Sequence, residues 1–373
     1  MADWIKRKII FHLNCLEQGG AERVVSNLAN WFSSEGYEII VATEWQGEIE
    51  YALNETVRRV HVGLRPADEK KNRLVKIWIR IKYLRKFLRE EKPDVVIAFA
   101  HKANYRTLTA AMGMKFPVII SVRTDPVGHY DSLLDKILIS LLFSHADGCV
   151  FQTEGQRDFF PEYLQKKSRI ILNPLNDKYL NVPRPSMQEK TVVQSGRLVG
   201  FKNQLMLIQA FLKVHEKHPE YSLKFYGSDS GDGTKEILEQ AIKENHAEGF
   251  IKLMGGSDSL EKELPKASVY AFSSDWEGLP NALLEAMALG LPIVATDCPC
   301  GGPRTVMTHE ENGLLIPIKD EEAMAAGICR LIEDRTLAER LGQNARKISD
   351  KINSKAITDE WRDYIEKVIA AVQ

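Results

Sequence analysis

Short apolar runs alternate with longer segments of helical period along the chain. Apolar runs of about four to eight residues bounded by turn residues predict strands, and apolar residues recurring every third or fourth position predict helices. Because the strand runs are nearly continuous in apolar residues and are separated by helices, they predict parallel sheets covered by helices on both faces. In the first half the strands are KIIFHLN, EIIVAT, VRRVHVG, DVVIAFA, PVIISV and ADGCVFQT, and the helices are AERVVSNLANWFSSEG and residues 72–91.

The same alternation recurs in the second half. The strands there are TVVQSGR, SLKFYGS, FIKLMGG, VYAFSS, LPIVATD and GLLIPI, and the helices are QLMLIQAFLKVHEKH, TKEILEQAIKENH, NALLEAMALG and EAMAAGICRLIEDRTLAERLGQNARKI. The two series meet in LNPLNDKYLNVPRPSMQEK, whose prolines and asparagines predict a linker. We expect doubly wound α/β domains at 1–180 and 181–350 facing a cleft, and a C-terminal helix at 351–373 that crosses back to the first domain.

Length and composition agree with this organisation. A chain of 373 residues exceeds what one hydrophobic core usually supports, and 44% hydrophobic with 27% charged residues is ordinary for a globular protein. The five cysteines include no C-x-x-C pair, which indicates reduced thiols in a cytoplasmic protein without a disulfide frame or zinc site. The sequence contains no run of about 20 apolar residues, so we expect no membrane-spanning helix. IIFHLNC is too short and too polar for a signal peptide, so it predicts a first strand.

Charge is unevenly distributed. Residues 1–185 hold 28 Lys and Arg against 22 Asp and Glu, and the remaining residues hold 22 against 29. A basic half indicates an anionic partner such as a phosphate-bearing substrate or an anionic membrane, unless the asymmetry is chance. Within residues 70–92, Leu74, Ile77, Trp78, Ile81, Leu84 and Leu88 form a helical stripe beside many cations. This helix either lies on the anionic cytoplasmic leaflet or packs its stripe on the sheet with its cations in solvent, and both can hold together.

Two loops carry candidate anion-binding chemistry. QGGAER follows the first strand, and its Gly19 and Gly20 let the backbone approach a ligand at a helix N-terminus, although it lacks the G-x-G-x-x-G spacing of dinucleotide sites. SGRLVGFKN follows the first strand of the second half. Its Arg197 and Lys202 could converge on one diphosphate, or could be ordinary surface cations.

A third stretch, DWEGLPNALLE, places two acids eight residues apart. The sequence predicts a strand to Ser274, a turn, a helix from Asn281 and a new strand from Pro292. Glu277 then lies in the loop and Glu285 in the helix, where each carboxylate could accept hydrogen bonds from a pair of sugar hydroxyls. Two isolated glutamates would otherwise be surface acids.

Taken together, GGAER, GRLVGFKN, EGLPNALLE and the CGGP turn at 300–303 make the chain resemble the retaining nucleotide-sugar glycosyltransferases of the GT4 type, which have the GT-B fold. The resemblance covers essentially the whole chain. It implies that the second domain binds the nucleotide-sugar donor and that the first binds most of the acceptor. It also implies no protein nucleophile, no cofactor and no divalent metal. The sequence DSGD at 229–232 lacks the D-x-D spacing of a metal signature.

The resemblance also implies roles for individual residues. Arg197 and Lys202 would neutralise the donor diphosphate, Glu285 would hold the ribose and Glu277 would face the hexose. His101, Arg123 and Asp125 would line the acceptor side, where Arg123 replaces the family's frequent histidine and could hold a phosphate or carboxylate. The remaining expected donor contacts are Gly19, Gly20, Gly196, Met254, Gly255, Gly278, Leu279 and Pro280.

We therefore expect a cytoplasmic, peripheral-membrane transferase of a hexose or N-acetylhexosamine. Its donor would be a UDP-sugar, in preference to a GDP-sugar, and its acceptor a saccharide that is lipid-linked through a polyprenyl diphosphate. No nucleic-acid partner is expected. The alternatives left open are a nucleotide-sugar epimerase or phosphorylase-like enzyme, a GDP-sugar-dependent mannosyltransferase, a nicotinamide-dependent oxidoreductase, which the missing G-x-G-x-x-G disfavours, and a non-catalytic binding protein.

Overall fold

The computed structural model describes residues 7–17 and 19–372, and these divide into two compact units. The first unit comprises the chain up to Pro174 together with the segment from Ser354 onward, and the second comprises Leu175–Asn353. The expected domain limits were 180 and 350.

The first unit is built on a seven-stranded parallel sheet in the order β3-β2-β1-β4-β5-β6-β7. The six predicted strands are present, but β7 was not predicted, because it is only three residues long and two of them are polar. The strands are β1 Lys8–Leu13, β2 Glu38–Thr43, β3 Arg58–His61, β4 Val95–Phe99, β5 Val118–Ser121, β6 Gly148–Phe151 and β7 Ser168–Ile170. The helices are α1 Gly20–Ser34, α2 Arg73–Glu91, α3 His101–Ala111, α4 Pro126–Tyr130, α5 Leu133–Leu142, α6 Glu154–Phe159 and α7 Glu162–Gln165.

The second unit has a six-stranded parallel sheet in the order β10-β9-β8-β11-β12-β13, and all six strands were predicted. They are β8 Glu189–Ser195, β9 Ser222–Tyr226, β10 Ile251–Gly255, β11 Ala267–Phe272, β12 Ile293–Thr296 and β13 Leu314–Ile316. The helices are α8 Gln204–Lys217, α9 Thr234–Glu244, α10 Leu260–Glu263, α11 Asn281–Ala288, α12 Gly302–Val306, α13 Glu321–Glu333, α14 Arg335–Arg346 and α15 Ser349–Ile352.

The long helix predicted over 322–348 was wrong, because the structure has two helices there. Asp334 ends α13 in a non-helical conformation, and its carboxylate accepts a hydrogen bond from the Leu337 backbone N–H at 2.9 Å. An aspartate that caps an N-terminus stabilises a new helix start, which the continuous apolar period conceals.

The last helix, α16 Ser354–Val372, belongs to the first unit. Trp361 is fully buried and stacks on Phe99, with ring centroids 5.6 Å apart. The Tyr364 hydroxyl accepts from the Cys149 backbone N–H at 2.8 Å and donates to the Lys167 carbonyl at 2.6 Å. These contacts attach the end of the chain to β4 and β6.

The apolar stripe of α2 is divided between the core and solvent. Leu84 and Leu88 are fully buried, whereas Leu74 is 79% exposed and Trp78 62% exposed. The alternative in which the whole stripe packs on the sheet is therefore wrong for the first turns of α2. In the part of the chain that the structure describes, no helix is both long enough and apolar enough to span a bilayer.

Each sheet contains one point where the strand order reverses, between β1 and β4 in the first and between β8 and β11 in the second. Loops after such strands diverge to opposite faces and leave a crevice at the carboxyl edge, which is where open α/β sheets bind ligands. The loops after β8 and β11 carry SGRLVGFKN and DWEGLP, and those after β1 and β4 carry Gly19 and His101.

Candidate active site

The loops after β8 and β11 are hydrogen-bonded to each other. Ser273 lies between them, accepting from Gln194 Nε2 at 3.0 Å and donating to the Lys202 carbonyl at 2.8 Å. The Asp275 N–H donates to the Phe201 carbonyl at 2.9 Å, and the Phe201 and Trp276 rings stack with centroids 4.2 Å apart. The two sequence motifs therefore form one site.

Lys202 and Glu277 form an ion pair at its centre. The distance from Lys202 Nζ to Glu277 Oε1 is 2.5 Å, and their side chains are 12% and 17% exposed. The Phe201 and Phe272 rings lie 5.6 Å and 5.8 Å from the ammonium. A cation in this setting is only partly hydrated, so its attraction for an anion is stronger than in bulk water.

Asn203 fixes the turn that positions Lys202. It has a left-handed backbone with φ of 48°, and its side chain accepts from the Met206 N–H and donates to Asp275 Oδ1 at 2.8 Å. Asparagine tolerates this backbone conformation and also caps helices, so one residue ends the loop and starts α8. The structural contribution of Asn203 and Asp275 was not predicted from the sequence.

Arg197 lies on the same loop and is exposed, and it forms no ion pair among the described residues. Gly196 precedes it with φ of +133°, and a Cβ there would lie 2.9 Å from Lys202 Cε. Glycine is therefore required where the loop bends around the lysine. The loop thus presents one ion-paired, partly buried cation and one exposed cation.

The loop after β11 is packed against the turn before α12. A Cβ on Gly302 would lie 1.8 Å from the Gly278 carbonyl oxygen, which explains why the CGGP turn has glycine at this position. Leu279 and Pro280 are buried, and Pro280 precedes α11 without a side-chain cap. Gly278 therefore lies two residues before the helix N-cap, in the loop between β11 and α11.

Glu285 is buried within α11, separate from the loop that holds Glu277. Burial raises the pKa of Tyr270, and the nearby charges of Glu285 and Glu277 add to the rise. Burial beside Glu277 likewise raises the pKa of Cys298 to about 12. The two acids therefore approach the end of β11 from different elements and do not form a carboxylate pair.

The loops after β9 and β10 lie at the same edge of the sheet, on the side of β8 away from β11. Gly227 donates its N–H to the Gly255 carbonyl, and Gly196 donates to the Tyr226 carbonyl, both at 2.8 Å. Met254 is the next-to-last residue of β10 and is 47% exposed. The structure therefore brings Gly196 and Gly255 close together through the loop after β9.

Asp232, in the loop after β9, accepts hydrogen bonds from its own loop and from the loop after β8. It accepts from the Gly200 and Thr234 backbone N–H groups at 3.1 Å and from Ser230 Oγ at 2.8 Å. Hydrogen bonds from Thr234, Ser230 and Gly200 lower its pKa. The DSGD segment thus fixes the turn that contains Gly200.

In the first unit, Gly19 and Gly20 open α1, with Gly19 as its N-cap residue, while Gln18 of the same motif lies outside the described residues. A Cβ on Gly19 would lie 2.1 Å from Glu22 Oε2. The helix N-terminus is therefore covered by a carboxylate from its own first turn, which occupies the position where an anion would bind.

His101 begins α3 directly after Ala100, whose φ of 74° is unusual for a residue with a side chain. His101 Nε2 lies 2.9 Å from Asp135 Oδ1, and the imidazole packs edge-on against Tyr130. Burial opposes ionisation of Asp135, but hydrogen bonds from Ser132, His101 and Tyr105 outweigh it and lower its pKa. His101 is thus held by α5.

Arg123 and Asp125 are used largely within the fold. The Arg123 guanidinium lies 4.8 Å from the Phe99 ring and 5.4 Å from the Trp361 ring, and burial lowers its pKa to about 9. Its Nε and Nη2 are buried, so these two N–H donors do not face a solvent-accessible site where an acceptor substrate could bind. Asp125 is buried and caps α4 through the Val127 N–H at 3.0 Å.

Two family models match consecutive parts of the chain. Residues 18–179 match "Glycosyltransferase Family 4", and residues 176–348 match "Glycosyl transferases group 1". Together these matches span both loop sets described above.

Individual relatives and structures agree with the family models. The chain is 27% identical to the Campylobacter jejuni N-acetylgalactosamine-N,N'-diacetylbacillosaminyl-diphospho-undecaprenol 4-alpha-N-acetylgalactosaminyltransferase, over 93% of this chain and 96% of that protein. It is 25% identical to the C. jejuni GalNAc-alpha-(1->4)-GalNAc-alpha-(1->3)-diNAcBac-PP-undecaprenol alpha-1,4-N-acetyl-D-galactosaminyltransferase, over 97% and 99%.

The crystal structure of Anabaena Alr3699/HepE in complex with UDP-glucose matches the fold with a TM-score of 0.83 at 18% identity, covering 97% of this chain and all of that one. The two parallel-sheet units, the two consecutive family models and this structural likeness agree, and the chain belongs to the GT4-type glycosyltransferases of the GT-B fold.

Proposed function

We propose that this protein transfers a hexose or N-acetylhexosamine, with retention of configuration, from a UDP-sugar to a saccharide linked to a polyprenyl diphosphate. The observation that carries the proposal is the partly buried Lys202–Glu277 pair, with Arg197 beside it, at the reversal point of the second sheet. The proposal places the donor at this unit and the acceptor at the first.

The two cations suit a diphosphate leaving group. As the bond from sugar to diphosphate breaks, negative charge grows on the phosphate oxygens, and cations already in place stabilise that charge without reorganisation. Lys202 is fixed by its ion pair and packing, whereas Arg197 is exposed and can close on the ligand. Arginine also binds phosphate oxygens through two parallel hydrogen bonds. The chemistry then requires no metal and no protein nucleophile.

Glu277 and Glu285 are proposed to orient the donor. Carboxylates accept hydrogen bonds from adjacent hydroxyls, and the separation of the two acids suits two different sugars of one donor, the hexose for Glu277 and the ribose for Glu285. Backbone N–H groups around Gly278, Leu279 and the start of α11 would add donors, and Met254 and Gly255 would adjoin the base. Orientation of this kind accelerates transfer by bringing reactants into a reactive arrangement.

The choice of UDP and of a lipid-linked acceptor rests on the relatives. The HepE structures contain UDP or UDP-glucose, and both C. jejuni relatives are named for transfer onto undecaprenol diphosphate-linked sugars. In the first unit, His101, held by Asp135, is proposed to face the acceptor, and Gly19 and Gly20 are proposed as donor contacts. The basic helix α2, within residues 70–92, would hold the protein peripherally on the anionic cytoplasmic face of the membrane.

The test is a screen of nucleotide-sugars for thermal stabilisation of the full chain, followed by nucleotide release with lipid-diphosphate saccharides. UDP-sugars are expected to raise the unfolding temperature more than GDP-sugars or NAD. Release of UDP should then depend on the saccharide acceptor. Stabilisation by GDP-sugars alone would contradict the donor assignment, and donor turnover without acceptor dependence would indicate an epimerase or hydrolase.

A further inference from the structure

Helix α5 presents an unusually apolar face to solvent. Its sequence LLDKILISLL is apolar nearly all round, yet Leu133 is 81% exposed, Leu134 65%, Ile137 56% and Leu141 60%. These four residues follow helical spacing and therefore share one face. A helix that is apolar on all sides is normally buried, and contiguous exposed apolar surface marks an interaction site.

The opposite face of α5 is attached firmly to the first unit. Ile139 is buried in the core, and Asp135 accepts hydrogen bonds that tie the helix to His101 and Tyr105. The exposed row is therefore held in place by the fold and is not a frayed segment. We call these four exposed residues, Leu133, Leu134, Ile137 and Leu141, the α5 ridge.

The first turns of α2 expose further apolar residues on the same side of the unit. Leu74, Ile77 and Trp78 are 79%, 41% and 62% exposed. Helices α2, α3 and α5 together surround a cavity of about 540 Å³, so α2 and α5 border one surface. The cavity is lined mainly by cations and also by apolar residues: Lys71, Arg73, Lys76, Ile77, Arg80, Lys102, Tyr105, Arg106 and Leu138.

The cations of this surface are only partly neutralised. Lys71 pairs with Asp68 and Lys76 with Glu69, and Arg80 and Arg106 share Glu44. Arg73 and Lys102 form no ion pair within the described ranges. Residues 70–92 contain ten Lys and Arg against two Glu. An apolar row bordered by excess cations fits a bilayer interface that carries anionic headgroups, where acyl chains take the apolar side chains and phosphates take the cations.

We propose that the α5 ridge inserts into an anionic bilayer, with Leu74, Ile77 and Trp78 of α2 beside it and the cation-lined cavity facing the headgroup phosphates. This adds a second helix to the membrane contact suggested for residues 70–92. It rests on the proposed function in one respect: the bilayer is identified as the membrane that carries the lipid-linked acceptor. A second copy of the chain is the less suitable occupant, because a symmetric contact would bring two excess-positive surfaces together.

The experiment is co-sedimentation of the full chain with vesicles of phosphatidylglycerol and phosphatidylcholine, compared with phosphatidylcholine alone. The double substitution Ile137→Ser and Leu141→Ser is expected to lower the partition coefficient on anionic vesicles at least tenfold. The matched control is Ile237→Ser, which alters an equally exposed isoleucine of α9 in the second unit, 55% exposed, and should leave partitioning within twofold. Arg73→Gln with Lys102→Gln should weaken binding at low salt, and the difference should shrink as salt is raised.

Three results would overturn the proposal: unchanged partitioning of the double variant, equal binding of the wild type to neutral and anionic vesicles, or a wild-type dimer that the double substitution dissociates. Folding is checked through the unfolding temperature and its increase with UDP, which the double variant should retain because its altered residues are solvent-exposed. If UDP fails to stabilise even the wild type, the proposed donor is contradicted, whereas the vesicle result still decides the membrane surface.

Discussion

At the scale of single residues, the contact between Lys202 and Glu277 distinguishes the roles of the two glutamates in EGLPNALLE. Glu277 holds a cation in the loop, whereas Glu285 is buried in α11. In the proposed donor complex, the diphosphate would share the Lys202 ammonium with Glu277. The acid therefore positions the lysine in the free protein and opposes the binding of a phosphate near it.

The substitution Glu277→Gln should separate these two effects. Removing a negative charge beside Lys202 should leave UDP affinity unchanged or increased. Transfer should fall roughly tenfold to a hundredfold, because a hydrogen bond that a charged carboxylate accepts from a hexose hydroxyl is worth about 1.5–3 kcal/mol. The measurements are UDP binding by calorimetry and turnover with a UDP-sugar.

The control for this variant is Glu322→Gln, in the same unit. Glu322 pairs with Lys213 at 2.6 Å but is largely exposed on α13, so neither quantity should change. A parallel loss of UDP affinity and turnover in Glu277→Gln would contradict a role at the sugar. It would indicate that Glu277 acts only by placing Lys202.

The sequence predicts the loop positions of Lys202 and Glu277, because both residues lie in loops that follow apolar strands. It does not predict the packing of Arg123. That side chain packs between Phe99 and Trp361, and Trp361 belongs to a helix at the far end of the chain. A contact between segments so distant in sequence leaves no local pattern, whereas a strand–loop–helix transition does.

At the scale of structural elements, the site depends on close contact between the β11–α11 loop and the turn before α12. The Gly302→Ala substitution introduces a Cβ about where the Gly278 carbonyl oxygen lies, so one loop must move. We expect a loss of about 1–3 kcal/mol in the free energy of unfolding, typical of overpacking, together with weaker UDP binding.

Gly249→Ala is the matched control in the same unit, since a Cβ there meets nothing within 4 Å. Denaturant unfolding and UDP titration of both variants measure the difference. Equal stability and equal affinity in the two variants would show that the loop contact at Gly302 does not shape the site.

The elements themselves were predictable to different degrees. Twelve of the thirteen strands were predicted, most of them from apolar runs, since buried parallel strands require them. Strand β3 is an exception, because its residues RRVH are half-buried or exposed. The helices that were not predicted are α3 to α7, α10, α12 and α15. Of the two that reach ten residues, α3 begins with polar residues directly after a strand and α5 lacks a polar face. The exposed apolar face that makes α5 difficult to predict from sequence is also the face that we propose enters the bilayer.

At the scale of the whole molecule, the chain returns to its first unit through α16. Trp361→Ala should remove about 3–5 kcal/mol from the stability of that unit, because a fully buried indole is replaced by a cavity beside Phe99 and Arg123. Hydrogen exchange should show lost protection in β4 and β5 but little change in β8 and β11.

Trp78→Ala provides the control for this substitution, because Trp78 is largely exposed and its loss should leave protection in both sheets unchanged. Loss of protection spread evenly over both sheets would contradict the assignment of α16 to the first unit alone. The fold class itself was predictable from the doubled alternation of strands and helices, and the family models and the structural likeness confirm it.

The central claim is that the loops after β8 and β11 bind the diphosphate of a nucleotide-sugar through Lys202. The most direct measurement is the dissociation constant of UDP for the wild type, Lys202→Ala and the control Lys213→Ala, by titration calorimetry. A charge-assisted contact of about 1.5–3 kcal/mol predicts a rise of at least tenfold for Lys202→Ala and no change for Lys213→Ala. A dissociation constant for Lys202→Ala within threefold of the wild type would contradict the claim.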